Sequence, residues 1–258
     1  MSLILNTLQN IPIIRQGDNL ADILLKSLQE SELDLDDDDI LVLAQKIVSK
    51  SEGRMVNLAD VRMSTAAIDL APIVDKDPRL IELILRESKE VLRVRKGVIV
   101  VEHKLGFVCA NAGIDHSNVM GEKEDEEQDE YVLLLPENPD ASARRLRDEI
   151  KRKTGKTVGV MIIDSHGRAW RNGTVGVCIG LSGIPALIDE RGWEDLFGYT
   201  LKATIVGVAD ELAAAASLVM GQAAEGTPVV HVRGFPYPLD ESGSLKDLIR
   251  PKDMDMFR

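Results

Sequence analysis

Residues 158–183 read VGVMIIDSHGRAWRNGTVGVCIGLSG, and this stretch decides the fold class. The run Thr157 to Ile163 is almost entirely apolar or small, which predicts a buried strand ending at Asp164. Val175 to Ile179 predicts a second, short strand. The carboxyl ends of buried strands are where α/β proteins collect ligand-binding groups. The stretch therefore predicts a buried sheet with a polar site at Asp164 and Ser165.

The segments on either side mix helices and strands without the regular spacing of a βαβ array. The pattern predicts an α/β fold of the mixed α+β kind, arranged as a single domain over residues 1–258. Four helices are predicted: Asn19 to Gln29 with Asp18 as N-cap, Asp77 to about Arg93, Asp140 to about Lys153 ending at Gly155, and Ala209 to Met220 ending at Gly221. Further strands are predicted at Ile40 to Ser49, Val98 to Val101, Tyr131 to Leu135, Leu201 to Val206 and Pro228 to Val232.

The composition excludes several classes of function. Among 258 residues, 31 are Lys or Arg and 43 are Asp or Glu, so the net charge is −12. Nucleic acids and anionic membranes attract basic surfaces, so neither is an expected partner. Aromatic residues make up only 3%, which disfavours a protein that stacks on single-stranded nucleic acid. No apolar run reaches 18 residues and no signal peptide opens the chain, so we expect a cytoplasmic protein.

Four residues with reactive side chains are predicted to be structural. Cys109 and Cys178 each lie inside an apolar run, so we expect two buried free thiols rather than a disulfide or a metal pair. His103 and His231 each lie in an apolar strand and are expected to be core histidines. None of the four is a predicted ligand.

Two acidic segments are predicted to be solvated. Asp36 to Asp39 is expected to form an exposed turn, because a calcium loop needs acidic residues two apart and a glycine bend. Glu122 to Glu130 (EKEDEEQDE) is expected to form a solvated loop, because it has no apolar residue to bury.

Two polar clusters interrupt the apolar runs and can carry chemistry. In residues 111–118 (NAGIDHSN), Asp115 and Asn118 can supply oxygen ligands or hydrogen bonds, although an Asn- and Asp-rich turn accounts for the segment as well. Asp164 and Ser165 together suit a hard cation such as Mg²⁺ or Mn²⁺. The nearby Arg168 and Arg171 can hold anionic oxygens, and a capped turn with surface arginines is the alternative.

Two further segments are weaker candidates. Residues 220–227 form a small-residue loop with an amide and a carboxylate, which is also what a helix C-cap followed by a turn requires. Lys46, Ser49 and Lys50 can neutralise phosphates at the end of a predicted strand. GxxxxGK[ST] and GxGxxG are both absent, so a nucleotide would bind through another architecture. Nucleophilic hydrolysis by Ser165 with its neighbouring histidine is disfavoured, since GxSxG is missing.

Taken together, these segments resemble the coenzyme F-420:L-glutamate ligases, the gamma-glutamyl ligases of the deazaflavin coenzyme. The resemblance is carried, in the family's order, by IPII (11–14), SKSEGR (49–54), NAGIDHSN (111–118), residues 158–183 and ADELAAAASLVMGQAAEG (209–226). It implies a mixed-sheet fold without P-loop or Rossmann motif, assembled as an intertwined homodimer. Some bacterial relatives carry an appended nitroreductase-like domain, which is not expected here.

The resemblance also implies the reaction. GTP would drive the joining of L-glutamate, first by its amino group and then through gamma-linkages, to the terminal carboxylate of the deazaflavin coenzyme precursor. The route would be an acyl phosphate, assisted by two divalent cations (Mg²⁺ or Mn²⁺), with K⁺ as an optional further cation. The catalytic groups themselves are not assigned.

Residue by residue, the resemblance implies two metal sites and a nucleotide site. Asp115 and Asp164 match the first metal site, and Ser165 and Gln222 match the second, where archaeal relatives have Glu in place of Gln222. The polar pair Gln45–Lys46 matches a Ser-Thr pair of relatives. The matched nucleotide contacts are Ile11, Pro12, Ile13, Ile14, Gln45, Lys46, Lys50, Asn118, Met220, Gly221, Gln222, Ala223, Ala224, Glu225, Gly226 and Thr227.

Three alternatives remain open from the sequence. A metal-dependent nucleotide hydrolase would use the same cluster and release phosphate without glutamate. A gamma-glutamyl ligase could act on another carboxylate acceptor. A non-catalytic dimeric binding protein is the third alternative, and the presence of both Asp115 and Asp164 argues against it.

Overall fold

The computed structural model describes residues 2–119 and 131–256. The helices are α1 (Leu20–Glu30), α2 (Gln45–Ser51), α3 (Thr65–Val74), α4 (Pro78–Arg86), α5 (Pro139–Thr154), α6 (Val208–Met220) and α7 (Leu245–Leu248). The strands are β1 (Ile4–Thr7), β2 (Ile40–Ala44), β3 (Met55–Asn57), β4 (Ser88–Arg95), β5 (Val98–His103), β6 (Val108–Ala110), β7 (Tyr131–Leu133), β8 (Gly159–Gly167), β9 (Thr174–Ser182), β10 (Ile188–Asp189), β11 (Ile205–Val206) and β12 (Val229–Arg233). This is the mixed α/β class that the sequence predicts.

A five-stranded sheet in the order β1-β12-β2-β8-β9 organises the molecule. The central pair, β2 and β8, is parallel and every other neighbouring pair is antiparallel. In the parallel pair Ala44 lies opposite Ile163. Gln45 and Asp164 are therefore the next residues beyond the ends of the paired strands, which is where ligand sites form in such sheets.

Successive residues of β2 bury opposite faces of this sheet. Leu41 and Leu43 belong to one core with α1, α2 and α5, whereas Ile40 and Val42 belong to the other core with α6. Such alternation follows from the two-residue period of a strand. The parallel pair is thus covered by helices on both faces, which explains why its strands are continuously apolar.

A second body of structure lies between α2 and α5 in the chain. Its three-stranded sheet β4-β5-β6 shares a hydrophobic core with α3, α4 and the β7 region. The core includes Ile81 and Ile84 of α4 and Ile99 and Val101 of β5, all fully buried. This body carries the loop that follows β6, and it places that loop beside the ends of β2 and β8.

Two predicted elements change type partway. The strand predicted at Ile40 to Ser49 ends at Ala44, and the remainder forms α2, in which Ile47 and Val48 are buried and Lys50 is only half-buried. The helix predicted from Asp77 to about Arg93 ends at Arg86, and β4 follows. Residues 88–95 pair with β5, so tertiary hydrogen bonding overrides their helical spacing.

Other boundaries shift by smaller amounts. Asn19, not Asp18, caps α1 by accepting from the backbone of Asp22, and Asn138 rather than Asp140 caps α5. The strand ending at Asp164 continues to Gly167, because it forms a hairpin with β9. The strand predicted at Leu201 to Val206 is shortened to β11, and the strand predicted at Tyr131 to Leu135 is shortened to β7. The strand predicted at Pro228 to Val232 becomes β12.

The predicted solvated turn at Asp36 to Asp39 is wrong in one important respect. Asp39 is only 2% exposed, and its carboxylate accepts hydrogen bonds from Arg233 and from the ring of His231 (2.8 Å). Burial favours the neutral acid, but the hydrogen bonds from Arg233 and His231 outweigh it and lower the pKa of Asp39. The acidic run therefore anchors β2 to β12.

The other structural assignments are confirmed. Cys109 and Cys178 are buried free thiols, and His103 and His231 are buried. The predicted solvated loop at 122–130 lies outside the described residues. Within the described ranges, no helix has both the length and the apolar character needed to cross a bilayer.

Candidate functional site

A cleft of about 680 Å³ opens at the ends of β2 and β8, a volume typical of small-molecule sites. Five separate segments line it: residues 11–14, α2 with the preceding Ala44, the loop after β6, residues 163–167 of β8, and the end of α6 with the loop that follows it. The third segment belongs to the second body and the others to the central sheet and its helices. The cleft thus lies where the second body meets the central sheet and its helices.

Asp115 is held in the cleft through both its backbone and its side chain. Asn111, Ala112 and Gly113 all have positive φ angles (50°, 53° and 65°), and this turn brings Asp115 into a two-way backbone pairing with Leu133. Three consecutive left-handed residues are costly for the two that are not glycine, and such strain is typical of functional loops.

The carboxylate of Asp115 faces both donors and a second acid. Gln45 donates from Nε2 to Oδ2 at 2.7 Å, and Lys46 Nζ lies 3.5 Å from the same oxygen. Burial and then the negative charge of Asp164 raise the pKa of Asp115 to about 6. Two carboxylates share this site, and the charge of Asp164 disfavours ionisation of Asp115.

Asp164 is fixed by its own strand. His166, two residues on along the same face of β8, lies with Nε2 3.0 Å from Asp164 Oδ2. The His166 ring packs on Phe107 with centroids 5.1 Å apart, and Phe107 stacks on His103 at 5.3 Å. Two rings of the second body, Phe107 and His103, therefore support the side chain that contacts Asp164.

Ser165 and Gln222 are in direct contact. Ser165 Oγ donates to Gln222 Oε1 at 2.7 Å, and Gln222 Nε2 donates to Ser217 Oγ at 2.9 Å. Gln222 follows Gly221, where α6 ends with φ at 75°. The end of α6 thus delivers an amide oxygen next to the hydroxyl of Ser165, so the structure brings together the two residues that the resemblance pairs.

Two lysines of α2 join the cleft to the loop after β6. Lys46 donates to the hydroxyl (2.7 Å) and carbonyl (3.0 Å) of Ser117, and Lys50 donates to the Asn118 carbonyl at 2.7 Å. Burial, and then the charge of Lys46, lower the pKa of Lys50. Asn118 Nδ2 in turn donates to the Ala223 carbonyl at 3.1 Å, so the 220–227 loop closes onto the same segment.

The comparison with known proteins decides the family. Residues 9–234 match the family F420-0:Gamma-glutamyl ligase. The chain belongs to this family. A coenzyme F420:L-glutamate ligase of Methanothermobacter thermautotrophicus is 44% identical over 259 residues, covering 100% of both chains. Proteins of the same name from Methanocaldococcus jannaschii and Methanopyrus kandleri are 45% and 44% identical, over 96% and 95% of this chain and 94% and 93% of theirs.

Membership in the gamma-glutamyl ligase family makes this chain a ligase that forms carbon–nitrogen bonds. The residue assignments are separate predictions from the resemblance, and the structure shows where those residues lie. All sixteen residues matched to nucleotide contacts, from Ile11 to Thr227, line the cleft of this ligase. So do Asp115, Asp164 and Ser165, which with Gln222 form the matched metal set.

Arg168 and Arg171 are placed differently from the rest of the predicted site. They lie in the turn between β8 and β9, and neither is among the described residues that line the cleft of the gamma-glutamyl ligase. Arg168 donates to the carbonyl of Gly173 at 3.2 Å, which closes its own turn. A role in binding substrate anions stays a prediction for both.

The sequence reasoning missed three side chains of this ligase site. Ser117 accepts a hydrogen bond from Lys46, and Ser217 accepts one from Gln222. His166 contacts Asp164. Ser217 had a signal, since it is the one polar residue between Leu212 and Met220. His166 had one too, because a residue two positions from Asp164 on a strand shares its face.

Proposed function

We propose that this ligase uses GTP to join L-glutamate, through its amino group, to the terminal carboxylate of the deazaflavin coenzyme F-420 precursor, and then adds glutamates through gamma-linkages. The acceptor and the amino acid come from the relatives, which are named coenzyme F420:L-glutamate ligases. One observation carries the proposal: a single cleft gathers two carboxylates, a hydroxyl, an amide and two lysines from four segments.

The proposed reaction has two displacements. An oxygen of the acceptor carboxylate attacks the γ-phosphorus of GTP, and the bond from that phosphorus to the oxygen bridging the β-phosphate breaks. GDP is released, and the acceptor now carries an acyl phosphate. The glutamate amine then attacks the acyl carbon, the carbon–oxygen bond to phosphate breaks, and an amide forms. The proton lost by the amine passes to the released phosphate. Both steps bring anions together, so charge neutralisation is the main task of the site.

The chain's own residues are suited to that task. Lys46 and Lys50 place two ammonium groups on one side of the cleft, each fixed by a carbonyl of the loop after β6. The exposed side chain of Ile13 and the neighbouring residues 11–14 give the cleft an apolar wall suited to a base. Gly221 and Gly226 have positive φ, which lets the 220–227 loop turn its backbone toward a phosphate.

The donor set fits divalent cations. Asp115, Asp164, Ser165 and Gln222 offer only oxygen to the cleft side, the ligand type that Mg²⁺ and Mn²⁺ prefer. In the described chain no group of three or more His, Cys, Asp or Glu gathers to hold a metal, so any site here also depends on neutral oxygens. We assign Asp115 and Asp164 to the first cation and Ser165 and Gln222 to the second, and assign no residues to K⁺. When bound, the cations would neutralise phosphate oxygens.

A second copy of this chain is the proposed partner. The segment between β10 and β11 exposes large apolar side chains: Leu196 is 97% exposed and Phe197 94%, with Trp193 and Tyr199 beside them. An apolar patch of this kind marks an interaction surface. Light scattering should report a dimer, and Leu196→Ser with Phe197→Ser should shift it to monomer. A monomeric parent protein would contradict the assignment.

Mass spectrometry tests the activity directly. The glutamate-free coenzyme is incubated with the ligase, Mg²⁺, L-glutamate and either GTP or ATP, and the products are read as a ladder of added glutamates. The expected result is a ladder with GTP that needs both the acceptor and the amino acid. Phosphate release without either would indicate a nucleotide hydrolase. A glutamate adduct on a different carboxylate only would identify another acceptor.

A further inference from the structure

Both acids of the cleft share one arrangement. The hydrogen bonds that described side chains make to Asp115 and Asp164 go to Oδ2 in each case: Gln45 to Asp115 at 2.7 Å and His166 to Asp164 at 3.0 Å. An ionised carboxylate can only accept, so Nε2 of His166 is the donor. Each acid therefore has one oxygen occupied by the protein and the other left for the cleft.

We infer that Gln45 and His166 are positioning residues, which hold the two acids so that each offers a single oxygen to a divalent cation. The inference rests on the proposed metal sites and extends them by two residues. The resemblance matches Gln45 to a nucleotide contact, whereas here its principal role is to hold Asp115. Outer partners of this kind fix the orientation of metal-binding side chains in many sites.

The burial of Gln45 supports this role. Its side chain is 1% exposed, and its second amide atom, Oε1, accepts from Ser49 Oγ at 2.8 Å. Ser49 is itself fully buried, so the chain Ser49–Gln45–Asp115 fixes which way the amide faces. A flipped amide would set Oε1 against the Asp115 carboxylate and lose that hydrogen bond, because both oxygens are acceptors.

The support of His166 is different but equally specific. Its ring lies against Phe107, which stacks on His103 with an interplanar angle of 10°. His103 is buried and accepts from the backbone of Leu105 through Nδ1, so this column is anchored in the second body. Gln45 lies on the central sheet side and reaches across to Asp115, whereas His166 receives its support from the opposite side.

The test measures Mn²⁺ binding to the purified ligase by calorimetry, with Mn²⁺ alone as the probe. Gln45→Met keeps the length and removes the donor, and His166→Phe keeps the ring on Phe107 and removes the nitrogen. Each is expected to raise the Kd for Mn²⁺ by about 10- to 100-fold. His166→Gln, which retains a donor, should recover most of the affinity, and Ser49→Ala should produce a smaller loss than Gln45→Met.

Controls separate this inference from the metal proposal. Gln9→Met changes a surface Gln whose side chain, among the described residues, bonds Thr7 alone, so the Kd of this variant should equal that of the parent. Thermal unfolding without metal checks the fold of every variant. If Asp115→Asn and Asp164→Asn lose Mn²⁺ while folded Gln45→Met and His166→Phe bind as the parent does, the positioning role is overturned and the metal sites stand. A parent protein that binds no Mn²⁺ overturns both.

Discussion

Changing Gln222 to Glu adds one charge to the cleft with almost no change of shape. Ser165 already donates to the Gln222 oxygen at 2.7 Å, and this bond is kept. On the other side, the Gln222 nitrogen donates to Ser217 Oγ at 2.9 Å. A carboxylate oxygen in that place accepts instead, and the Ser217 hydroxyl rotates to donate. No heavy atom has to move, so the variant isolates the effect of charge.

The expected gain in cation affinity is moderate, because the attraction between the new carboxylate and the cation is partly cancelled by repulsion between carboxylates. Two unit charges 4 Å apart interact by about 4 kcal/mol at an effective dielectric constant of 20. The new carboxylate attracts a cation, but it also stands near Asp164 and needs to give up water. We expect a net gain of about 1.4 to 2.8 kcal/mol, which is a 10- to 100-fold lower half-saturating metal concentration.

The assay is a Mn²⁺ titration of glutamate ligation at saturating substrates, paired with thermal unfolding. Gln222→Glu should half-saturate at lower Mn²⁺, and without metal it should unfold at a lower temperature than the parent because of the added repulsion. Gln222→Met, which has neither oxygen nor charge, should half-saturate at higher Mn²⁺. If both variants are folded and both half-saturate at the parental concentration, residue 222 does not contact the metal.

Asp164→Asn should leave the fold intact and reduce the rate of ligation by about 1,000-fold or more, since a lost charged ligand removes several kcal/mol of transition-state stabilisation. Near-parental turnover at saturating Mn²⁺ would exclude Asp164 as a metal ligand. Asp39→Asn should lower the free energy of unfolding by about 3 kcal/mol in urea, the low end for breaking a buried ion pair, because Arg233 is partly exposed. The pKa of Asp39 is lowered on folding, so its contribution is present above the unfolded value of about 4 and is lost as the pH falls further. The difference between parent and Asp39→Asn should therefore be similar at pH 7 and pH 5 and smaller at pH 3, and a constant difference would contradict the assignment.

The sequence predicted the fold best where local pattern and tertiary environment agree. The run before Asp164 is apolar without interruption, and it forms the strand that is covered on both faces. Residues 88–95 could be read as helix because the segment before them is helical, and only the pairing with β5 decides otherwise. The burial of Asp39 could not be predicted for the same reason. Its partners His231 and Arg233 lie more than 190 positions away, and no local pattern indicates them.

The site shows the same division between local and distant information. Resemblance to a family named Asp115, Asp164 and Gln222 as one set, although the chain separates them by up to 107 positions. Residue patterns alone left a turn open as the explanation for each segment. What neither source supplied was the set of supporting contacts, such as Gln45 on Asp115, because a hydrogen bond between two buried side chains depends on packing.

The position of the cleft between the central sheet and the second body has a consequence for how the ligase folds. Asp164 stands on the central sheet, whereas Asp115 belongs to the body that the chain builds between α2 and α5. The second body alone would hold one of the four candidate metal ligands, Asp115, and the central sheet with its helices would hold the other three. The cleft is thus complete only once the two bodies have docked. Cation affinity measured during refolding would report that docking step. We expect it to appear after the signals of secondary structure and after those of either body's core alone.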